Sequence, residues 1–324
     1  MRTRWAVIWR IVKIMLAMLI VGGVGWHFAK ILRRPELWQQ PLRLDPFWLA
    51  ITGLLYAAGF CCWGGYWLRL LHGMGERLTL PLAARAYFVS QLGKYVPGKA
   101  VAVLMRVGYA RAAGVRTSVA AITATYETLT TIAAGAVVAA VLFPMLETER
   151  SAMGWKALGL LAIAGIPILP GVFNWVAAKL AKPFLPAGAT DLPRLKMSSL
   201  LGGLLQSGVG WIFLGTSLLT LLYGVRRDGE DPVRLPWLVC AAYVSLSYVA
   251  GFLTLPAPGG LGVREAIMQQ LLADRLGPQM GDEAAATYAV VVVLLLRLVW
   301  TVSELSMAGL SSLLPVLSRR KSSA

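Results

Sequence analysis

Acidic residues, histidine and cysteine are scarce in this chain, and each shortage excludes something. Among 324 residues there are 15 Asp+Glu, 2 His and 3 Cys, and charged residues of both signs reach only 14%. A soluble domain carries about 25% charged residues. With 57% hydrophobic residues and a mean hydropathy of +0.66, the chain has too little polar surface to clothe a core of its own size. An ordinary soluble enzyme, a disordered protein and a collagen-like fibre are therefore excluded. Three cysteines, with Cys61 and Cys62 adjacent in an apolar run and Cys240 far away, exclude a disulfide scaffold and read as small buried hydrophobes. His27 and His72 are isolated, and no HExxH or Cys/His cluster offers a metal site, so neither metal nor cofactor is expected. There is no P-loop to make ATP the direct energy source, and no GxSxG nucleophile motif.

Basic residues are abundant. Lys+Arg number 31 against 15 Asp+Glu, and 31 − 15 = +16. They are spread between apolar segments rather than gathered on a basic fold, which argues for cytoplasmic loops facing anionic lipid and against nucleic acid. A hydrocarbon core about 30 Å thick needs about 20 mostly apolar residues. Seven segments qualify: Val12–Leu32, Phe47–Leu71, Thr117–Phe143, Trp155–Phe173, Ser199–Tyr223, Leu235–Leu255 and Ala284–Leu314. The first resembles a signal peptide, but Lys30, Arg33 and Arg34 close it like an anchor, so it is expected to be retained as a span.

Two further apolar stretches are broken. Leu80–Ala110 contains Gly93, Pro97 and Gly98; Leu255–Leu276 contains Pro256, Pro258, Gly259, Gly260 and Gly262. Proline removes a backbone donor and glycine weakens a helix. Each stretch is expected to be two short helices meeting at a Pro-Gly elbow that dips into the membrane and turns back, with loops lying on the surface as the alternative. Irregular backbone at membrane depth survives only against protein or a water-filled cavity. Basic residues place the N-terminal tail, the Arg69–Arg116 region and the tail at 318–324 in the cytoplasm, while the Arg226–Arg234 loop fits the outside. Both termini on one side require an even count, so one broken segment is expected to add a crossing, giving about eight. The expected fold is thus a single all-α polytopic membrane bundle over 1–324, in the plasma (inner) membrane.

The elbows resemble each other: Pro97-Gly98 aligns with Pro258-Gly259, suggesting half-repeats of about 1–150 and 151–324. Gly/Pro-interrupted segments at matching positions in two halves point to a transporter's binding site. Helix N-termini at such elbows expose unpaired N–H groups that suit an anion. Lys94, Lys99 and Arg106 flank the first elbow and Arg264 the second, which favours a phosphate-bearing headgroup; facing water instead, they would only set topology. Glu127 lies within one span, and Arg297 and Glu304 share a face of the last. Buried ionisable groups cost at least about 2.5 kcal/mol in a bilayer and persist when paired or lining a polar path. Glu127 with Arg297 is the first expected pair, Glu304 with a base of the first elbow the second. Glu265 starts the helix after the second elbow, where a carboxylate complements the dipole.

On these motifs, Gly93-Lys94-Tyr95-Val96-Pro97-Gly98-Lys99 with Arg106 downstream, Glu127, and Pro258-Gly259-Gly260-Leu261-Gly262-Val263-Arg264-Glu265, the chain resembles the transmembrane region of lysylphosphatidylglycerol synthase, the flippase-like domain family. Val101 and Ala102 stand where the family's commoner first motif has Gly and Glu. The resemblance implies an all-helical bundle that moves a lipid between leaflets, here without the cytosolic synthase domain. The expected substrate is a phospholipid, an aminoacyl lipid made elsewhere, or a polyisoprenyl-phosphate-linked lipid. A lipid-modifying enzyme is a further expected partner. Two other classes stay open: a membrane-embedded transferase or phosphatase acting on a lipid phosphate, and a non-transporting scaffold for a synthase.

Overall fold

The computed structural model describes residues 42–95, 100–146, 165–181, 194–227, 232–253 and 262–314, with a few isolated positions besides. Both Pro-Gly elbows (Pro97, Gly98, Lys99 and Pro258, Gly259, Gly260), the expected first span Val12–Leu32 and the basic tail lie outside the described residues. What is described is helical, apart from one short ladder. The elements are β1 Leu42–Leu44, α1 Pro46–Gly73, α2 Leu80–Gln91, α3 Val101–Ala112, α4 Thr117–Leu146, α5 Pro170–Ala181, α6 Met197–Gly224, β2 Val225–Arg227, α7 Trp237–Leu253, α8 Val263–Met280 and α9 Asp282–Leu313. Among the described residues, α1, α4, α6 and α9 are long and apolar enough to cross a membrane, as expected of Phe47–Leu71, Thr117–Phe143, Ser199–Tyr223 and Ala284–Leu314. The expected span Trp155–Phe173 is not one helix: a 3₁₀ turn at Ile166–Ile168 interrupts it and α5 restarts at Pro170. Pro167 and Pro170 account for the break, since neither can donate to a continuing helix.

The long pair α1 and α6 forms the frame. Asp45 caps α1 by accepting the Phe47 N–H at 3.0 Å, with Pro46 in the first turn where its missing donor costs nothing. β1 pairs antiparallel with β2, Leu42 opposite Arg227 and Leu44 opposite Val225, so the start of α1 sits beside the end of α6. Polar side chains stitch the antiparallel helices along their length: Thr52 to Thr220 at 2.9 Å, Trp63 Nε1 to the Ser207 carbonyl at 3.1 Å, and Gln206 to the Cys62 carbonyl at 2.7 Å. In hydrocarbon such bonds and close packing take over the work that water-driven association does in soluble proteins.

The two interrupted stretches leave from opposite ends of this frame. At one end Arg116 bonds Glu76 at 2.5 Å and the Met74 carbonyl at 3.1 Å, which joins the turn after α1 to the turn after α3. The chain from Leu80 to Ala112 therefore departs from and returns to that end, which carries Arg77, Arg111 and Arg116. At the other end, beside the ladder, Tyr288 of α9 donates to the Val225 carbonyl at 2.8 Å. Helix α8 ends there at Gly281 and α7 begins shortly after β2, so the chain from Trp237 to Met280 departs from and returns to the ladder end. At 1.5 Å per residue, α2 and α3 are each about 18 Å long and α7 and α8 about 26 Å, against about 42 Å for α1. The broken arms are shorter than the helices around them, and their tips stop inside the molecule.

Candidate functional site

The tips carry most of the expected site residues. After α2 the backbone tightens into a 3₁₀ turn, Leu92–Tyr95, that turns Lys94 and Tyr95 inward. Glu304 of α9 is buried, at 2% exposure, and collects donors there. Lys94 Nζ forms an ion pair with it, the Tyr56 hydroxyl donates to its Oε1, and the Tyr95 hydroxyl donates to Oε2 at 2.9 Å. The Tyr95 hydroxyl also lies 3.0 Å from the Thr301 hydroxyl. This is the expected pairing of Glu304 with a base of the first elbow.

Glu127 does not pair with Arg297. Its Oε2 takes Arg106 Nη1 at 2.5 Å, and its Oε1 accepts the Tyr87 hydroxyl at 2.9 Å and the Thr131 hydroxyl at 3.3 Å. The reason is architectural. Helix α3 returns directly into α4 through a short turn, so Arg106 lies on the element packed against Glu127, whereas Arg297 belongs to the pair α8 and α9. The Arg106 guanidinium also lies over the Tyr87 ring, 4.2 Å from its centroid, a cation–π contact that offsets part of its desolvation.

The third cluster surrounds the start of α8. Gly262 has φ +90°, a conformation that side-chain-bearing residues rarely adopt, and its N–H donates to Glu265 Oε2 at 2.6 Å. Glu265 is thus the helix cap that its position implies, and more: its Oε1 receives Arg264 Nε at 2.7 Å and lies 3.3 Å from Arg297 Nε. The second contact is within ion-pair distance, but among the described residues none of the three Arg297 guanidinium nitrogens makes a hydrogen bond. Arg264 stacks over Tyr248 at 4.8 Å.

All three clusters contribute residues to one cavity of about 170 Å³. Its cationic wall is Lys94, Arg106 and Arg264, with Glu127, Thr128, Thr131 and Gln91 between them. Much of the remaining lining is aromatic, from Phe60, Trp63, Trp211, Tyr248 and Phe252, with Lys94 over the Phe60 ring and Arg264 over that of Tyr248. Lys94 and Phe252 closely precede the two undescribed elbows, and Ala102, Val103 and Arg264 closely follow them. A smaller pocket of about 10 Å³ lies alongside, lined by Tyr248 and Arg264 again together with Glu265, Met268, Val293, Leu296, Arg297 and Trp300.

Of the residues expected from sequence, Lys94, Arg106, Glu127 and Arg264 line the larger cavity. Glu265 and Arg297 line the smaller, and Tyr95, Gly262 and Glu304 hold them in place. Sequence reasoning missed Tyr56, Tyr87, Tyr248 and the tryptophans Trp63 and Trp211. Each sits in an apolar helix where an aromatic reads as packing, so nothing in the pattern marks it. Among the described residues no group of His, Cys, Asp and Glu could hold a metal ion. Comparison with protein-family models and with curated proteins finds no match.

Proposed function

We propose that the protein is a flippase-like transporter that moves a phosphate-bearing lipid, a phospholipid or a polyisoprenyl-phosphate-linked lipid, between membrane leaflets. The observation that carries this reading is the cavity: three cations, Arg106 and Arg264 buried and Lys94 half-buried, among aromatic side chains suit an anionic headgroup whose hydrocarbon remains in the bilayer. Lys94, Arg106 and Arg264 hold the phosphate, and Glu304 and Glu127 hold Lys94 and Arg106, respectively, in position until it arrives. The aromatic side chains carry the glycerol or isoprenyl carbons next to the phosphate.

In this reading both broken segments are re-entrant, and their departure from opposite ends makes the half-repeats inverted. The described residues next to the elbows, Lys94, Ala102, Phe252 and Arg264, line one cavity, which suits a transporter site reachable from either side. The basic end faces the cytoplasm with both termini, in the plasma membrane. Helices α1, α4, α6 and α9 count toward the expected eight crossings, whereas α7 and α8, as arms of a re-entrant segment, add none. The resemblance to the lysylphosphatidylglycerol synthase transmembrane region agrees with this assignment. A transferase or phosphatase would want its carboxylates together, yet Glu127 lines the larger cavity and Glu265 the smaller.

The test is a leaflet assay in proteoliposomes with fluorescent anionic, zwitterionic and polyisoprenyl-phosphate lipids. Headgroup-selective movement by the wild type, lost in Lys94→Gln and Arg264→Gln at unchanged folding, is the expected result. Intact protein that moves none of these lipids would overturn the reading.

A further inference from the structure

The buried charges around the two cavities do not balance. Lys94, Arg106, Arg264 and Arg297 face Glu127, Glu265 and Glu304, so the described set sums to +4 − 3 = +1. The surplus has an address. Lys94 and Arg106 each own a carboxylate, while Arg264 and Arg297 share Glu265, whose oxygens are already taken by Arg264 and the Gly262 N–H. Among the described residues, Arg297, 3% exposed, has no hydrogen bond to its guanidinium. The buried Tyr248 hydroxyl, likewise without a hydrogen-bond partner among the described residues, belongs to a side chain that lines the same small pocket. A buried donor left without an acceptor costs about 1–3 kcal/mol, and more when charged. Two such donors around a space with room for about one oxygen atom describe a receptor for an oxyanion. Tyr248 and Arg264 line both spaces, so a phosphate in the larger cavity can place one oxygen in the smaller.

We propose that Arg264, Arg297 and Tyr248 form the seat of the headgroup phosphate and that the seat is matched to a single negative charge, which makes the preferred ligand a lipid phosphodiester rather than a phosphomonoester. This rests on the lipid-transport reading of the same cavity and narrows it. A phosphodiester carries one charge and brings the set to zero. A monoester carries about −1.5 to −2 near pH 7 and leaves the low-dielectric site with an uncompensated anion. The shared chemistry is the phosphodiester monoanion, available from a lipid or from a soluble ester.

The experiment titrates the full-length protein in detergent with phosphatidylmethanol and phosphatidic acid, two lipids that differ by one methyl group and its charge, following tryptophan fluorescence from Trp63 and Trp211. The wild type is expected to bind phosphatidylmethanol about tenfold more tightly or better, the factor that one charge-assisted hydrogen bond supplies. Arg297→Gln takes the set to zero, lowers phosphatidylmethanol binding, and shifts the ratio further away from phosphatidic acid. Glu265→Gln and, independently, Glu304→Gln raise the set to +2 and shift the ratio toward phosphatidic acid. The ratio is read within each variant, so a general loss of stability does not imitate it. Arg111→Gln, at an exposed position lining neither cavity, leaves the ratio unchanged. Equal or tighter binding of phosphatidic acid by the wild type, one ratio in every variant, or an Arg111 effect as large as that of Arg297 overturns the proposal. So does dimethyl phosphate binding as tightly as the lipid, which would put the ligand in solution. The predicted ratio without leaflet movement would keep the seat and remove the transporter; movement without the ratio would do the reverse.

Discussion

Arg106 and Glu127 are held at 2.5 Å with both side chains 3% exposed, so each compensates the other's buried charge. Removing one partner of a buried pair costs about 3–5 kcal/mol, whereas replacing both with apolar groups is often neutral. Glu127→Gln is therefore expected to lower the thermal midpoint in detergent strongly, and the double variant Arg106→Met, Glu127→Leu to recover most of it. The same double variant is expected to stay inactive in the leaflet assay, because the cavity loses one of its three cations. If it moves lipid at the wild-type rate, the pair is only a strut. At this scale the sequence was half legible. A charge in an apolar run announces itself through its cost, so Lys94, Arg106, Glu127, Arg264, Arg297 and Glu304 could be found. Glu304 with a base of the first elbow was legible, but Arg106 as the partner of Glu127 was not, because pairing depends on which helix returns against which, and that is not written locally. Tyr56 and Tyr87 stayed hidden because a buried tyrosine and a core aromatic look alike in one dimension.

The helices themselves were easier to read where apolar length alone decides. Those four long helices follow the hydrophobic runs to within a few residues, since a bilayer tolerates nothing else over that distance. The stretch around Pro167 and Pro170 was misread because its average hydropathy hides two breaks. The arm formed by α2 and α3 depends on a close approach: a Cβ at Gly93 would lie 2.8 Å from both Cα and N of Ala102. Gly93→Val is expected to force the two helices apart, at about 1–3 kcal/mol as overpacking usually costs, and to pull Lys94 from Glu304. A thermal melt beside the leaflet assay checks this. The expected outcome is a lost activity larger than the lost stability explains, and a variant with normal movement would show that the turn does not position Lys94.

For the whole molecule the decisive geometry is that the two broken arms leave from opposite ends. Single cysteines placed at Arg77 and Arg111 are expected to react with a membrane-impermeant thiol reagent from one side only, and cysteines at Arg226 and Asp282 from the other, in a protein whose Cys61, Cys62 and Cys240 have been replaced by serine. Labelling of Arg77 and Asp282 variants from the same side would refute the arrangement. The two ends are also secured by different means. Beside β1 and β2 the fastening is backbone: the strand ladder and the Asp45 N–H to the Gly224 carbonyl at 2.9 Å. At the basic end the tie between turns is Arg116 to Glu76, with the arginine side chain 61% exposed. Ionic strength screens an exposed pair and leaves amide bonds untouched. Salt or an anionic leaflet surface is thus expected to loosen the fastening at the basic end and to leave the one beside the ladder unchanged.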